Sequence, residues 1–153
     1  MTPETRKKIE TLFERYPRKR GALLPAIYLT QAEKGYVDRE AAQDLAELFE
    51  IPPVAVWEVL SFYNMFYTEP QGRHHVYVCT NLSCSLRGAR TMLKSLEAHL
   101  GIKAGQTTSD GRVTLGHEEC LGSCGTAPML RVNSDYHENL DTDEAKRIVD
   151  SLE

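Results

Sequence analysis

The apolar residues of this 153-residue chain change their period once, at Pro70-Gln71-Gly72. Before that point they recur at the i, i+3, i+4 spacing of amphipathic helices. After it, short alternating runs take turns with helical ones. The shift predicts two domains, residues 1–70 and residues 71–153, the first helical and the second mixed, hence an α+β chain. Thr2-Pro3 supplies an N-cap and a proline in the first turn; Ile9, Leu12, Phe13 and Tyr16 follow as one helical face ending before Pro17. Leu23, Leu24, Ile27 and Tyr28 make a second face, closed near Gly35. Asp38 caps a third helix that turns Ala41, Leu45, Leu48 and Phe49 inward. Pro52-Pro53 opens a fourth, with Val56, Val59, Leu60 and Tyr63 inward. Four short helices on short connections predict a small bundle or a pair of hairpins.

In the second part, residues 74–78 (HHVYV) read as a strand that ends at Cys79. Leu86, Ala89, Leu93, Leu96 and Leu100 share one face of a helix over 86–100, stopped by Gly101. Strands are expected over 112–115, 129–132 and 136–139, the last two joined by the Asn133-Ser134-Asp135 turn. Asp141 and Glu144 form a capping box for a final helix that buries Ala145, Ile148, Val149 and Leu152. The order β-α-β-β-β-α resembles a shortened thioredoxin-like arrangement.

All four cysteines lie in this part, as Cys79-x4-Cys84 and Cys120-x3-Cys124. No run approaches the roughly 20 apolar residues of a membrane span. The first twenty residues lack the apolar core of a secretory signal. A cytosolic protein with reduced thiols is expected, so disulfides are disfavoured. Four inert cysteines would not be expected to gather as two close pairs at loop positions. A metal centre remains, and two kinds compete. Structural four-cysteine zinc sites usually use C-x2-C knuckles. A [2Fe–2S] core spreads four sulfurs over two irons and tolerates wider gaps, and C-x4-C occurs in plant-type ferredoxins. The spacing favours the cluster, with zinc as the competitor. Cys84 is expected just before a helix N-terminus, where N–H groups favour negative charge. Gly122 and Gly125 would let backbone amides approach sulfur. Arg87 and Arg90, in the first turns of that helix, are either nearby positive charge or solvated.

The strings VCTNLSCSLRGA (78–89) and ECLGSCGTAP (119–128) closely resemble the small [2Fe–2S] subunit family of respiratory complex I. Its bacterial form is the small E-type component of the NADH–quinone oxidoreductase, a thioredoxin-like ferredoxin. Residues 59–66 (VLSFYNMF), and Val132-Asn133 with residues 136–140 (YHENL), are similar to that family too. The resemblance implies an N-terminal helical region followed by a thioredoxin-like [2Fe–2S] domain. It implies Cys79, Cys84, Cys120 and Cys124 as cluster ligands. It further implies docking on a partner subunit that binds NADH and FMN, and acceptance of one electron from the reduced flavin at a site off the main chain of clusters leading to quinone. The subunit would then stand in the peripheral arm of a membrane-associated complex, at the cytoplasmic side, and would not oxidise NADH alone. Related subunits serve NAD-linked hydrogenases and formate dehydrogenases.

The residues agree with a division of labour. No G-x-G-x-x-G follows a strand and no P-loop exists, so nucleotide chemistry is not carried here. No C-x-x-C exists either, which counts against thiol–disulfide exchange. An all-cysteine cluster implies a low potential, on the order of −400 mV for plant-type examples. Lysine plus arginine total 18 against 22 aspartate plus glutamate, a formal charge of −4. Such a chain binds nucleic acid or anionic membrane poorly. The basic residues from Arg6 to Arg20 read as a solvated helix face. Trp57, Phe62, Tyr63, Phe66 and Tyr67 read as bundle filling, or as a partner-facing anchor if exposed. His74 and His75 are adjacent in a strand and point to opposite faces. His117, three residues before Cys120, reads as a strand or loop residue rather than a ligand. Acidic pairs such as Glu118-Glu119 and Asp143-Glu144 read as solvated charge or capping, not acid–base catalysis.

Overall fold

The Thr2 side chain accepts a hydrogen bond from the Thr5 N–H, and α1 (Pro3–Phe13) starts behind it. Helix α1 stops three residues short of Tyr16, which is exposed, and a 3₁₀ turn at Lys19–Ala22 follows. Helix α2 (Leu23–Lys34) ends on Gly35 in the left-handed conformation. Asp38 caps α3 (Arg39–Phe49) through the Ala41 N–H. Proline at the first helical turn opens α4 (Pro53–Phe62). Ile9, Ile27, Leu45, Phe49, Val56 and Leu60 are buried together, each contributing about 1.5–3 kcal/mol. Tyr28, expected inward, is exposed, with its ring edge against buried Phe66. The computed structural model describes residues 1–153, which divide into two units, Met1–Pro70 and Gln71–Glu153.

In the second unit β1 (His74–Cys79) is the central strand of a five-stranded sheet. It pairs in parallel with β3 (Val113–Glu118), from His74 opposite Val113 to Cys79 opposite Glu118. On its other side lies antiparallel β4 (Leu130–Val132), which turns through Asn133 into β5 (Asp135–His137). A two-residue strand, β2 (Gln106–Thr107), completes the order β2-β3-β1-β4-β5. The connection from β1 to β3 holds two helices where the periodicity predicts one. They are α5 (Leu82–Leu86) and α6 (Ala89–Leu100). Gly88 separates them at φ 96°, a conformation that glycine adopts without strain. Leu86 therefore leaves the buried face and is 79% exposed. Helix α7 (Thr142–Asp150) begins at the expected capping box of Asp141 and Glu144.

Strand alternation sets the two faces of the sheet. Val76, Val78, Val113, Leu115, Leu130 and Val132 are buried with Met92 and Leu96 of α6 and Ala145 and Val149 of α7. Tyr77 points to the opposite face, where its ring lies across Gly116; a Cβ there would stand 2.4 Å from Tyr77 Cε1. The Arg131 guanidinium stacks on the same ring at 4.9 Å.

Candidate metal centre

Each pair of cysteines is built differently. Cys79 is the last residue of the central strand, and Cys84 lies within α5. Asn81 caps α5 by accepting from the Leu82 N–H, and the Ser85 hydroxyl donates to the Thr80 carbonyl at 2.7 Å. This folds the four residues between the cysteines into a tight turn. Both cysteines are buried, and their thiols interact. Cys84 is thus inside a single-turn helix rather than ahead of a long one, so little helix dipole acts on it.

Cys120 and Cys124 lie in the segment between β3 and β4, which holds only a 3₁₀ turn at Cys124–Thr126. Both are exposed, and they too interact. The Gly122 N–H donates to Cys120 Sγ at 3.4 Å, as expected for one of the two glycines. The two pairs meet. Helix α5 packs beside the 3₁₀ turn, which brings Ser83 close to Cys124. Cys124 lies within electrostatic reach of both Cys79 and Cys84. No three His, Cys, Asp or Glu side chains converge as ligands around a single ion; the sulfurs stand as two pairs.

The electrostatics of this gathering oppose free thiolates. Burial, then the hydrogen bond and charge of Cys79, push Cys84 up to about 11, and a backbone hydrogen bond from Met129 only partly offsets them. Cys124 is raised chiefly by its hydrogen bond and charge interaction with Cys120. Thiolates crowded in this way need a cation, and metal coordination deprotonates thiols outright. Four thiols on two converging loops fit the all-cysteine donor set of a [2Fe–2S] core.

The surrounding residues fall partly as expected. Arg87 caps the C-terminal end of α5, and Arg90 donates to Ser85 Oγ at 3.0 Å. Both arginines are exposed. His117 is exposed on β3. His74 contacts the Glu153 carbonyl at 2.8 Å, and burial lowers the pKa of His75. Among the five clustered aromatic residues only Phe62 is exposed. The basic N-terminal face is solvated and partly paired, Lys8 with Glu4 and Arg6 with Glu10. Glu118 corrects the expectation of solvated charge. It is 8% exposed, and Arg131 Nη2 pairs with its carboxylate at 3.4 Å. Its carbonyl accepts from both the Thr80 N–H and the Thr80 hydroxyl. Thr80, next to Cys79, is thereby joined to Glu118, two residues before Cys120.

The sequence profile of the thioredoxin-like [2Fe-2S] ferredoxins matches residues 9–153. The chain belongs to this family. Its fold is that of the thioredoxin-like ferredoxins, and the family's cofactor is a [2Fe–2S] cluster. The chain is 41% identical over 147 residues to an E-type subunit of the NADH-quinone oxidoreductase of Rhizobium meliloti strain 1021, covering 96% of this chain and 88% of that protein. It is 36% identical over 154 residues to the mitochondrial NADH dehydrogenase [ubiquinone] flavoprotein 2 of Dictyostelium discoideum, covering 99% of this chain and 62% of that protein. Among solved structures, an air-oxidized NAD+-reducing [NiFe]-hydrogenase matches 84% of this chain with a TM-score of 0.71 and 25% identity. The match spans 22% of the hydrogenase chain. This family member therefore has relatives that are subunits of NADH-quinone oxidoreductase. No helix in it is long and apolar enough to cross a membrane.

Proposed function

We propose that the chain is an electron-transfer subunit that takes one electron from the FMN of a partner flavin subunit, with Cys79, Cys84, Cys120 and Cys124 holding a [2Fe–2S] cluster. The reading rests above all on the meeting of two sulfur pairs, one from β1 and α5 and one from the loop before β4. Each pair holds one iron, because short loops bring sequence neighbours together. When bound, the cluster supplies a one-electron site of low potential. The residues of this chain position and shield that site. Burial at Cys79 and Cys84 excludes water from one side, while exposed Cys120 and Cys124 leave the other side open. Electron transfer needs closeness, so the open side faces the flavin. The NADH chemistry belongs to the partner, and the subunit alone does not oxidise NADH. Within the assembly it stands in a peripheral arm at the cytoplasmic side of the membrane. Exposed Phe62 suits a partner-facing anchor.

A second assembly has a specific observation behind it. The match to the NAD+-reducing hydrogenase fits the equivalent subunit of a hydrogenase or formate dehydrogenase. Anaerobic purification, iron and sulfide analysis and electron paramagnetic resonance of the dithionite-reduced protein test the cluster. Two irons and two sulfides per chain with a reduced-state signal are expected. One zinc and no signal would overturn the reading. Co-purification with a respiratory flavin subunit, rather than with hydrogenase subunits, decides the assembly.

A further inference from the structure

We infer that Glu138 is the positioning residue of the Cys120–Cys124 loop, its carboxylate fixing the turn that presents Cys124. This rests on the ligand assignment proposed above. The loop has little backbone structure of its own: within it the Thr126 N–H donates to the Ser123 carbonyl at 3.2 Å, and the Gly122 N–H reaches a sulfur. What holds it is a side chain from outside. The Glu138 carboxylate follows β5 and accepts from the Ser123 hydroxyl and from the Thr126 hydroxyl, the latter at 2.6 Å. Ser123 and Thr126 flank Cys124 on both sides. The Thr126 hydroxyl also lies 3.2 Å from Ser123 Oγ, which closes a three-membered network.

The base of this tie is fixed as well. The Asn139 N–H donates to the Thr126 carbonyl at 2.7 Å, and the Leu140 N–H to the Pro128 carbonyl at 3.0 Å. Glu138 thus starts from an anchored backbone. An ionised carboxylate has only acceptors, so both hydroxyl protons are committed to it, and hydrogen bonds to a charged acceptor are the stronger kind. The Ser123 proton is then withheld from the neighbouring sulfurs. The same carboxylate adds a negative charge beside a ligand loop, which opposes reduction of an anionic cluster.

The test uses the full chain carrying its cluster. In Glu138→Ala, iron release to an excess of chelator should accelerate about tenfold, the scale set by one charge-assisted hydrogen bond in water. Its reduced-state magnetic signal should change line shape, and the midpoint potential should shift upward. Glu138→Gln keeps an acceptor without the charge. It should restore most of the slow release while keeping the upward shift. The pair Ser123→Ala and Thr126→Val removes both donors; Glu138→Ala added to it should change iron release no further. Far-UV circular dichroism and melting keep the fold in view. If Glu138→Ala lowers only the melting temperature, and leaves iron release, signal and potential of the folded protein unchanged, the residue does not position the loop. A reduced-state signal absent from the unsubstituted chain would instead bring down the ligand assignment itself.

Discussion

Two cysteine loops meet and are held by opposite means. The Cys79–Cys84 turn takes its shape from regular structure: a central strand, a capped single-turn helix and burial of both thiols. The Cys120–Cys124 loop is exposed and takes its shape from side-chain ties, the Thr80 hydroxyl donating to the Glu118 carbonyl at its entry and the Glu138 carboxylate at its exit. A buried ligand pair gains rigidity and loses water, and its thiols resist ionisation until metal arrives. An exposed pair lies open to solvent and reagents, and its geometry depends on ties that single substitutions can cut. The first loop is suited to anchoring a cofactor and the second to exposing it.

The largest effect that would sharpen this contrast comes from the proposed ligands. Cys84→Ser should remove most of the visible absorbance of the cluster and leave the helical circular dichroism of the N-terminal unit in place. Cys124→Ser should weaken and distort the cluster with the same helical signal; an unchanged visible spectrum in either variant would show that the ligand set is wrong. Thiol alkylation of the metal-free chain near neutral pH, read by mass spectrometry, comes next. Raising Cys84 from its ordinary 9.0 to about 11 lowers its thiolate fraction about a hundredfold. Cys84 should therefore label last and exposed Cys120 early. Equal rates would break the contrast.

Smaller effects probe the ties. Glu118→Gln leaves the Arg131 charge without its partner, and should cost about 1–3 kcal/mol in chemical denaturation. It should also loosen the second loop before the first. The smallest is a pH slope. In the metal-free chain Cys84 keeps its proton after the unfolded chain has lost one, because its folded-state pKa is the higher. Its contribution to stability is present below pH 9 and fades as pH rises to about 11. Melting temperatures of Cys84→Ala should show a shallower decline over that range than those of the unsubstituted chain.

The contrast also explains what the sequence could disclose. Caps are local chemistry, so Thr2, Asp38 and the Asp141–Glu144 box were legible from neighbours three residues apart. The central strand was legible because Val76, Tyr77 and Val78 form a run of β-branched and aromatic residues. The single-turn helix was not, because Leu86 and Ala89 continue the helical spacing across Gly88 and five residues give no period of their own. Leu82 and Leu86, on that helix, are 70% and 79% exposed, against the rule that apolar residues turn inward. The burial of Glu118 depends on strand register, since Arg131 reaches it only because both flank β1. Glu138 meets Ser123, 15 positions earlier in the chain. Such a contact has no periodicity and no motif. The cysteines themselves announce chemistry through spacing, but the ties that orient them arise only once the sheet has formed.

Cys79 ends the strand with a neighbour on either side, whereas β2 and β5 form the rims of the sheet. Rims fray first when a protein breathes, and amides at the middle exchange with solvent last. The first proposed ligand is thus moored to an interior strand, among the elements expected to open last. Thermal fluctuation would reach the outer thiols long before it disturbed the inner one, and loss of the prosthetic group should begin from the solvent side.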